Sequence, residues 1–284
     1  MSGIHLSTGA FRGGRLVEMA EACEALGAGL ELSSGVRWHA GLGAEIEEVA
    51  QRKGNVLVHN YFPPPEKPFV LNLASMNPET LERSKCHVRA AIDLSARCGA
   101  PFYSVHSGFA MELKAEDLGN PGARARRERV PRAVALQIFL SSVRELSTYG
   151  KAAGVRLLIE NNVITREQMN GESPLLMTAP GELARFFRDL DDTNVGLLLD
   201  MGHAKVSAAA MGFEPGSFFD ELTPWIGAVH LSDNDGIRDS HRPFAAEAWF
   251  GQYLQPDVPA VIEVNGIGIE GARDLVDLVS RWVR

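Results

Sequence analysis

A short apolar run that stops on a carboxylate constrains this 284-residue chain more than any other feature. Val195-Gly-Leu-Leu-Leu-Asp200 is brief and shows no alternation of polar and apolar residues, which is the pattern of a strand buried on both faces. Such strands lie in parallel sheets covered by helices, so Asp200 falls at a strand's carboxyl end. His203 follows three residues later.

The form recurs in Val155-Arg-Leu-Leu-Ile-Glu160, Gly227-Ala-Val-His230 and Ala260-Val-Ile-Glu263, while Asn55-Val-Leu-Val-His59 and Phe102-Tyr-Ser-Val-His106 end on imidazoles. A carboxylate at the end of a buried strand is costly to desolvate unless a cation or several donors stand beside it. Repeated endings of Glu, Asp and His therefore point to one shared cation site.

Two further strands are expected at residues 4–7 and 29–33. Helical spacing of apolar residues places helices near 15–26, 44–52, 77–98, 181–190, 217–222 and 271–283, with further helical segments near 124–149 and 245–254. Residues 201–216 read as a loop. Asn77 and Pro78 fit the cap and first position of the third helix, and Gly99 its stop. Eight strands alternating with eight helical segments, in a chain with 45% hydrophobic residues, predict a (β/α)8 TIM barrel, a single domain over residues 1–284. In that fold the polar strand ends share one mouth. The alternative, an open doubly wound sheet, calls for a glycine-rich phosphate turn after the first strand, and Ser7-Thr-Gly-Ala-Phe-Arg-Gly-Gly does not supply G-x-G-x-x-G.

A formal net charge of −8 argues against nucleic acid or an anionic membrane as partner. The start lacks a basic stretch leading into an apolar one, no apolar run approaches a membrane span, and Cys23, Cys86 and Cys98 show no metal or redox spacing. These observations predict a cytoplasmic protein with reduced, core-packing thiols. Arg124, Arg126, Arg127, Arg129 and Arg132 form the one basic cluster, read as a solvated helix start or, because cations oppose the dipole there, as a seat for an external anion.

Within the predicted barrel, Glu160, Asp200, His230 and Glu263 come from successive strands and converge on one divalent cation, with Zn, Mn, Mg and Co all compatible. His59 and His106 approach Glu160 and allow a second ion. His203 with Asp239 and His241 allows a third. Asp233 and Asp235 read as turn formers, His39 and His87 as surface or packing residues, and His5 and Glu31 face either mouth or solvent. Arg238, Asn162 and Tyr61, beyond the strand ends, are candidates to bind substrate.

The combination Leu-Ile-Glu160-Asn, Leu-Asp200-Met-Gly-His203, Val-His230-Leu-Ser-Asp233 and Ile-Glu263-Val resembles the xylose isomerase-like TIM-barrel superfamily, which joins sugar isomerases and epimerases to endonuclease IV. For the epimerase branch the resemblance implies one metal at Glu160, Asp200, His230 and Glu263, with the two glutamates exchanging a substrate proton. For the endonuclease branch it implies a trinuclear zinc cluster on those four plus His59, His106, His203, Asp239 and His241, and Asn72-Leu-Ala-Ser is similar to that branch too. Gly236 stands where epimerases carry an arginine, and Arg242-Pro-Phe-Ala replaces the endonucleases' Gly-Glu-Gly. The expectation is an isomerase or epimerase of a sugar, sugar phosphate or related polyol: Glu160 and Glu263 move the proton and His203 positions an oxygen. The alternative is a phosphoesterase with two or three zinc ions. The expected partner is a small carbohydrate, with a homo-oligomer left open.

Overall fold

The computed structural model describes residues 3–117, 129–169 and 174–283. Eight parallel strands close on themselves: β1 (Ile4–Ser7), β2 (Gly29–Leu32), β3 (Val56–His59), β4 (Phe102–His106), β5 (Arg156–Glu160), β6 (Val195–Asp200), β7 (Ile226–Leu231) and β8 (Ala260–Ile262). Each pairs with the next and β8 pairs with β1, so the ladder has no free edge. The described residues form eight α-helices: α1 (Leu16–Ala25), α2 (Leu42–Ala50), α3 (Pro78–Cys98), α4 (Arg132–Ala153), α5 (Pro180–Leu190), α6 (Met201–Met211), α7 (Ser217–Leu222) and α8 (Gly268–Trp282). The (β/α)8 barrel expected from the strand pattern is the fold observed. Among the described residues no helix is long and apolar enough to cross a membrane.

The apolar strand bodies form the inner core. Leu157, Leu158 and Ile159 of β5 and Leu197, Leu198 and Leu199 of β6 are inaccessible to solvent, as strands covered on both faces require. Strand register then aligns the polar ends. His106 lies opposite Glu160 across β4 and β5, and Asp200 lies opposite His230 across β6 and β7. The long helix α3 is bounded as its sequence predicts: Asn77 accepts hydrogen bonds from the Glu79 and Thr80 amides, and Gly99 closes it in the left-handed region (φ 67°).

Four expectations are corrected. Residues 201–211 form α6, not a loop; this helix is buried on most of its surface and shows no apolar stripe, so periodicity could not reveal it. The helix expected from residue 124 begins, as described, at Arg132. Val130 precedes a proline, which disfavours helical backbone, and Arg129 sits before it in a bridge with Met111. Arg124, Arg126 and Arg127 lie outside the described residues. Residues 245–254 form no α-helix: turns at 246–247 and 249–250 lead into a single short 3-10 turn, Gly251–Tyr253. The aromatic residues there anchor individually: Phe244 stacks on Trp282, and Phe250 meets the same indole edge-on. Finally, Cys23 and Cys98 are buried but Cys86 is exposed, so it does not pack the core.

Candidate metal centre

The carboxyl ends of β3 to β8 bring their polar residues into one cup. Three sets of ligand atoms gather there, each within 4.8 Å: His59, His106 and Glu160; Glu160, Asp200, His230 and Glu263; and His203, Asp239 and His241. Glu160 belongs to two of them. All nine metal-ligand candidates of the sequence are thus brought together. Glu31 forms a further combination with His59 and His230.

Glu160 is inaccessible to solvent, and neither carboxylate oxygen has a hydrogen-bond partner. His59 Nε2 and His106 Nε2 nevertheless stand 3.3 and 3.4 Å from its Oε2, whereas His203 Nδ1, 3.3 Å from its Oε1, is engaged by the Asn161 carbonyl and leaves Nε2 as the ligand atom. Asp200 Oδ2 is likewise buried without a hydrogen bond. Buried carboxylate oxygens without donors are expensive. Imidazole nitrogens close to them but outside hydrogen-bond geometry are what shared ligands of a cation look like, so the residues fit a divalent metal on both chemistry and geometry.

His230 Nδ1 lies 3.0 Å from Glu263 Oε2, 3.8 Å from Asp200 Oδ2 and 3.9 Å from Glu160 Oε1. Asp239 Oδ2 bridges His203 Nε2 at 3.2 Å and His241 Nε2 at 2.9 Å. His241 adopts a positive φ of 43°, an uncommon conformation for a side-chain-bearing residue, and its ring faces that carboxylate. Asp200 serves twice: it ends β6 and caps α6, with Oδ1 accepting from the His203 amide at 2.6 Å.

Electrostatics follow from burial. Burial and the neighbouring imidazoles push His59 well below its ordinary range, and His106 down to about 3, which leaves both rings in the neutral form that binds metals. Burial pushes the Glu160 carboxyl well up. Burial acts the same way on Glu263, but His230, His241 and His59 outweigh it and hold this carboxyl below the usual carboxylate range. For His241 burial acts downward, yet Asp239 and Glu263 prevail and raise it to about 9.

The substrate-binding candidates separate. Asn162 directs its amide at the carbonyls of Ser107, Gly108 and Leu176 (2.9, 3.2 and 2.8 Å), tying the loops after β4 and β5 together. Tyr61 accepts from the Phe69 amide at 2.7 Å within its own loop and stacks on His87 of α3. Arg238 is exposed and lines a groove of about 500 Å³ with Thr165, Arg166 and Ile237. Arg132, in the basic cluster, is tied into the protein by the Leu175 carbonyl at 2.7 Å and by Glu182. Asp235 accepts from the Ile237 and Arg238 amides, in line with a turn former.

Two groups near the cup, Ser104 and the Asn161 carbonyl, were not singled out in sequence, and Glu31, left open between mouth and solvent, faces the mouth. Ser104 hydrogen-bonds His59 Nδ1 at 2.9 Å, the Asn161 carbonyl accepts from His203 Nδ1 at 2.8 Å, and Glu31 meets His230 Nε2 at 3.0 Å. An acid inside the apolar stretch Gly29-Leu-Glu31-Leu was the one available signal.

Comparison with known proteins agrees with this architecture. The uncharacterised protein MJ1311 of Methanocaldococcus jannaschii is 25% identical over 174 residues, covering 60% of this chain and 50% of the relative, so the chain spans about half the length of that curated relative. A solved D-tagatose 3-epimerase-like protein superposes with a TM-score of 0.69 at 20% identity, covering 99% of this chain and 97% of its own. The TTHB071 protein of Thermus thermophilus, from a crystal soaked with zinc chloride, gives 0.64 at 22% identity, with 99% of both chains covered. Other solved proteins of this fold are named as L-ribulose 3-epimerase and D-psicose 3-epimerase. At these identities the superpositions establish the fold. Residues 13–262 match the family described as xylose isomerase-like TIM barrel, and the chain belongs to that family.

Proposed function

We propose that the protein is a divalent-metal-dependent isomerase or epimerase of a sugar, sugar phosphate or related polyol. The observation that carries this reading is the gathering of Glu160 and Glu263, from β5 and the end of β8, around one buried set with Asp200 and His230. A cation held by those four residues supplies Lewis acidity, polarising a sugar carbonyl and acidifying the neighbouring C–H. One glutamate, as carboxylate, takes that proton and the other, as a carboxylic acid in exchange with solvent, supplies one. Delivery to the opposite face of the same carbon inverts it; delivery to the former carbonyl carbon, while the neighbouring hydroxyl proton passes to the old carbonyl oxygen, moves the carbonyl. His203, whose Nε2 faces Asp239, orients a substrate oxygen in this scheme. The tagatose, ribulose and psicose epimerase names carried by proteins of this fold support the choice of a sugar.

The test is a panel of ketoses and their phosphates incubated with the metal-loaded enzyme in deuterium oxide. Deuterium is expected at the carbon beside the carbonyl. A panel that acquires none while the protein holds its metal contradicts the reading.

A second reading is favoured by the donor sets that share Glu160. Three sets suit three zinc ions and hydrolysis of a phosphoester. The net charge of −8 then favours a small phosphorylated molecule over a polyanion. Ion content separates the two: about one ion per chain supports isomerisation, and close to three zinc ions support hydrolysis.

A further inference from the structure

Three imidazoles of the cup have one nitrogen committed to a neutral anchor. His59 Nδ1 is hydrogen-bonded to Ser104 Oγ, His203 Nδ1 to the Asn161 carbonyl, and His241 Nδ1 lies 3.3 Å from the Glu263 carbonyl. His230 differs. Its Nε2 stands 3.0 Å from Oε2 of Glu31, a carboxylate on β2 that is 199 residues away in sequence and, like His230, inaccessible to solvent. β2 and β7 are not neighbours in the ring, so this contact is not a product of strand pairing. Oε1 of Glu31 has no hydrogen-bond partner, and packing alone does not offset the cost of burying such a group.

A carboxylate on one imidazole nitrogen fixes the tautomer, aims the other nitrogen and makes it a stronger ligand. The nitrogen aimed here is Nδ1, which faces Glu263, Asp200 and Glu160. We propose that Glu31 is a positioning residue that keeps the His230 proton on Nε2 and so makes the set Glu160, Asp200, His230 and Glu263 the first to take up a divalent cation. This rests on the metal reading above.

The test compares full-length wild type with Glu31→Gln, both stripped with chelator and titrated with zinc chloride by calorimetry. Glutamine preserves shape and an acceptor but removes the charge. The first binding step is expected to weaken roughly 10- to 100-fold, with any later steps unchanged. Nitrogen-15 NMR of zinc-saturated wild type is expected to show the His230 proton on Nε2, a readout that does not depend on how the variant folds. An unchanged first step, equal weakening of every step, or a proton on Nδ1 overturns the proposal. Wild-type protein that takes up no zinc removes the metal reading and this inference with it; zinc uptake by wild type with no effect of Glu31→Gln removes the inference alone.

Discussion

Glu160 and Glu263 are close enough to share one cation yet differ in surroundings, since Glu160 oxygens accept no hydrogen bond and Glu263 Oε2 pairs with His230. Replacing either glutamate with glutamine preserves volume and removes the proton carrier. Glu263→Gln is expected to lower deuterium incorporation by at least about 100-fold. Full exchange in that variant contradicts the proton-transfer scheme. A second residue, His87, tests electrostatics away from the cup. Burial lowers its pKa to about 4, against a smaller upward pull from the Asn60 carbonyl, and its Nε2 is buried without a partner. The unfolded chain therefore takes up a proton near pH 6.5 that the folded chain refuses until about pH 4, and stability falls as pH drops through that window. The contribution is at most about 3 kcal/mol. Urea unfolding of His87→Phe should lose less stability than wild type between pH 6.5 and pH 4; parallel pH profiles contradict the assignment.

The turn from β6 into α6 joins folding to the site. Asp200 Oδ1 caps the helix while Oδ2 has no hydrogen-bond partner, so in the proposed metal site one side chain would serve both. Asparagine caps a helix as well as aspartate but carries no charge. Asp200→Asn should keep the metal-free unfolding midpoint and lose zinc binding at the four-residue set. Asp200→Ala should also lose the cap, about 1 kcal/mol. Identical metal-free midpoints for the two variants contradict the capping role. The same turn shows why some elements were readable in sequence and others were not. The eight strands announce themselves because a buried parallel strand is a short apolar run with polar punctuation. Helix α6 hides because Met201, Gly202, Ala204, Val206 and Ala208 are buried around its circumference, so no polar face sets a period. The stretch around Trp249 misleads because its aromatic residues satisfy separate contacts with Tyr253 and Phe219 instead of one helix face.

At the scale of the whole molecule, closure of the barrel converts sequence distance into proximity. Ligand candidates spread from His59 to Glu263 meet because eight parallel strands put every carboxyl end on one rim, and the pairing of His106 with Glu160 and Asp200 with His230 sets them side by side. The candidates at the strand ends, His59, His106, Glu160, Asp200, His230 and Glu263, were therefore legible from the strand pattern, whereas His203, Asp239 and His241 lie outside the strands and rested on spacing and the family resemblance. The supporting contacts were less legible still. Ser104 and the Asn161 carbonyl act from a neighbouring strand or through backbone, where neither spacing nor residue type marks them, and Glu31, marked only as an acid in an apolar strand, acts across the barrel. Barrel closure also leaves a buried acidic cluster with unpaired carboxylate oxygens, and the proposal that they hold a cation is the centre of the account. The direct measurement is the zinc content of full-length protein after saturation and gel filtration. The account predicts at least about one tightly held ion per chain, lost on Glu160→Gln. Protein that emerges folded with fewer than about one zinc per ten chains contradicts it.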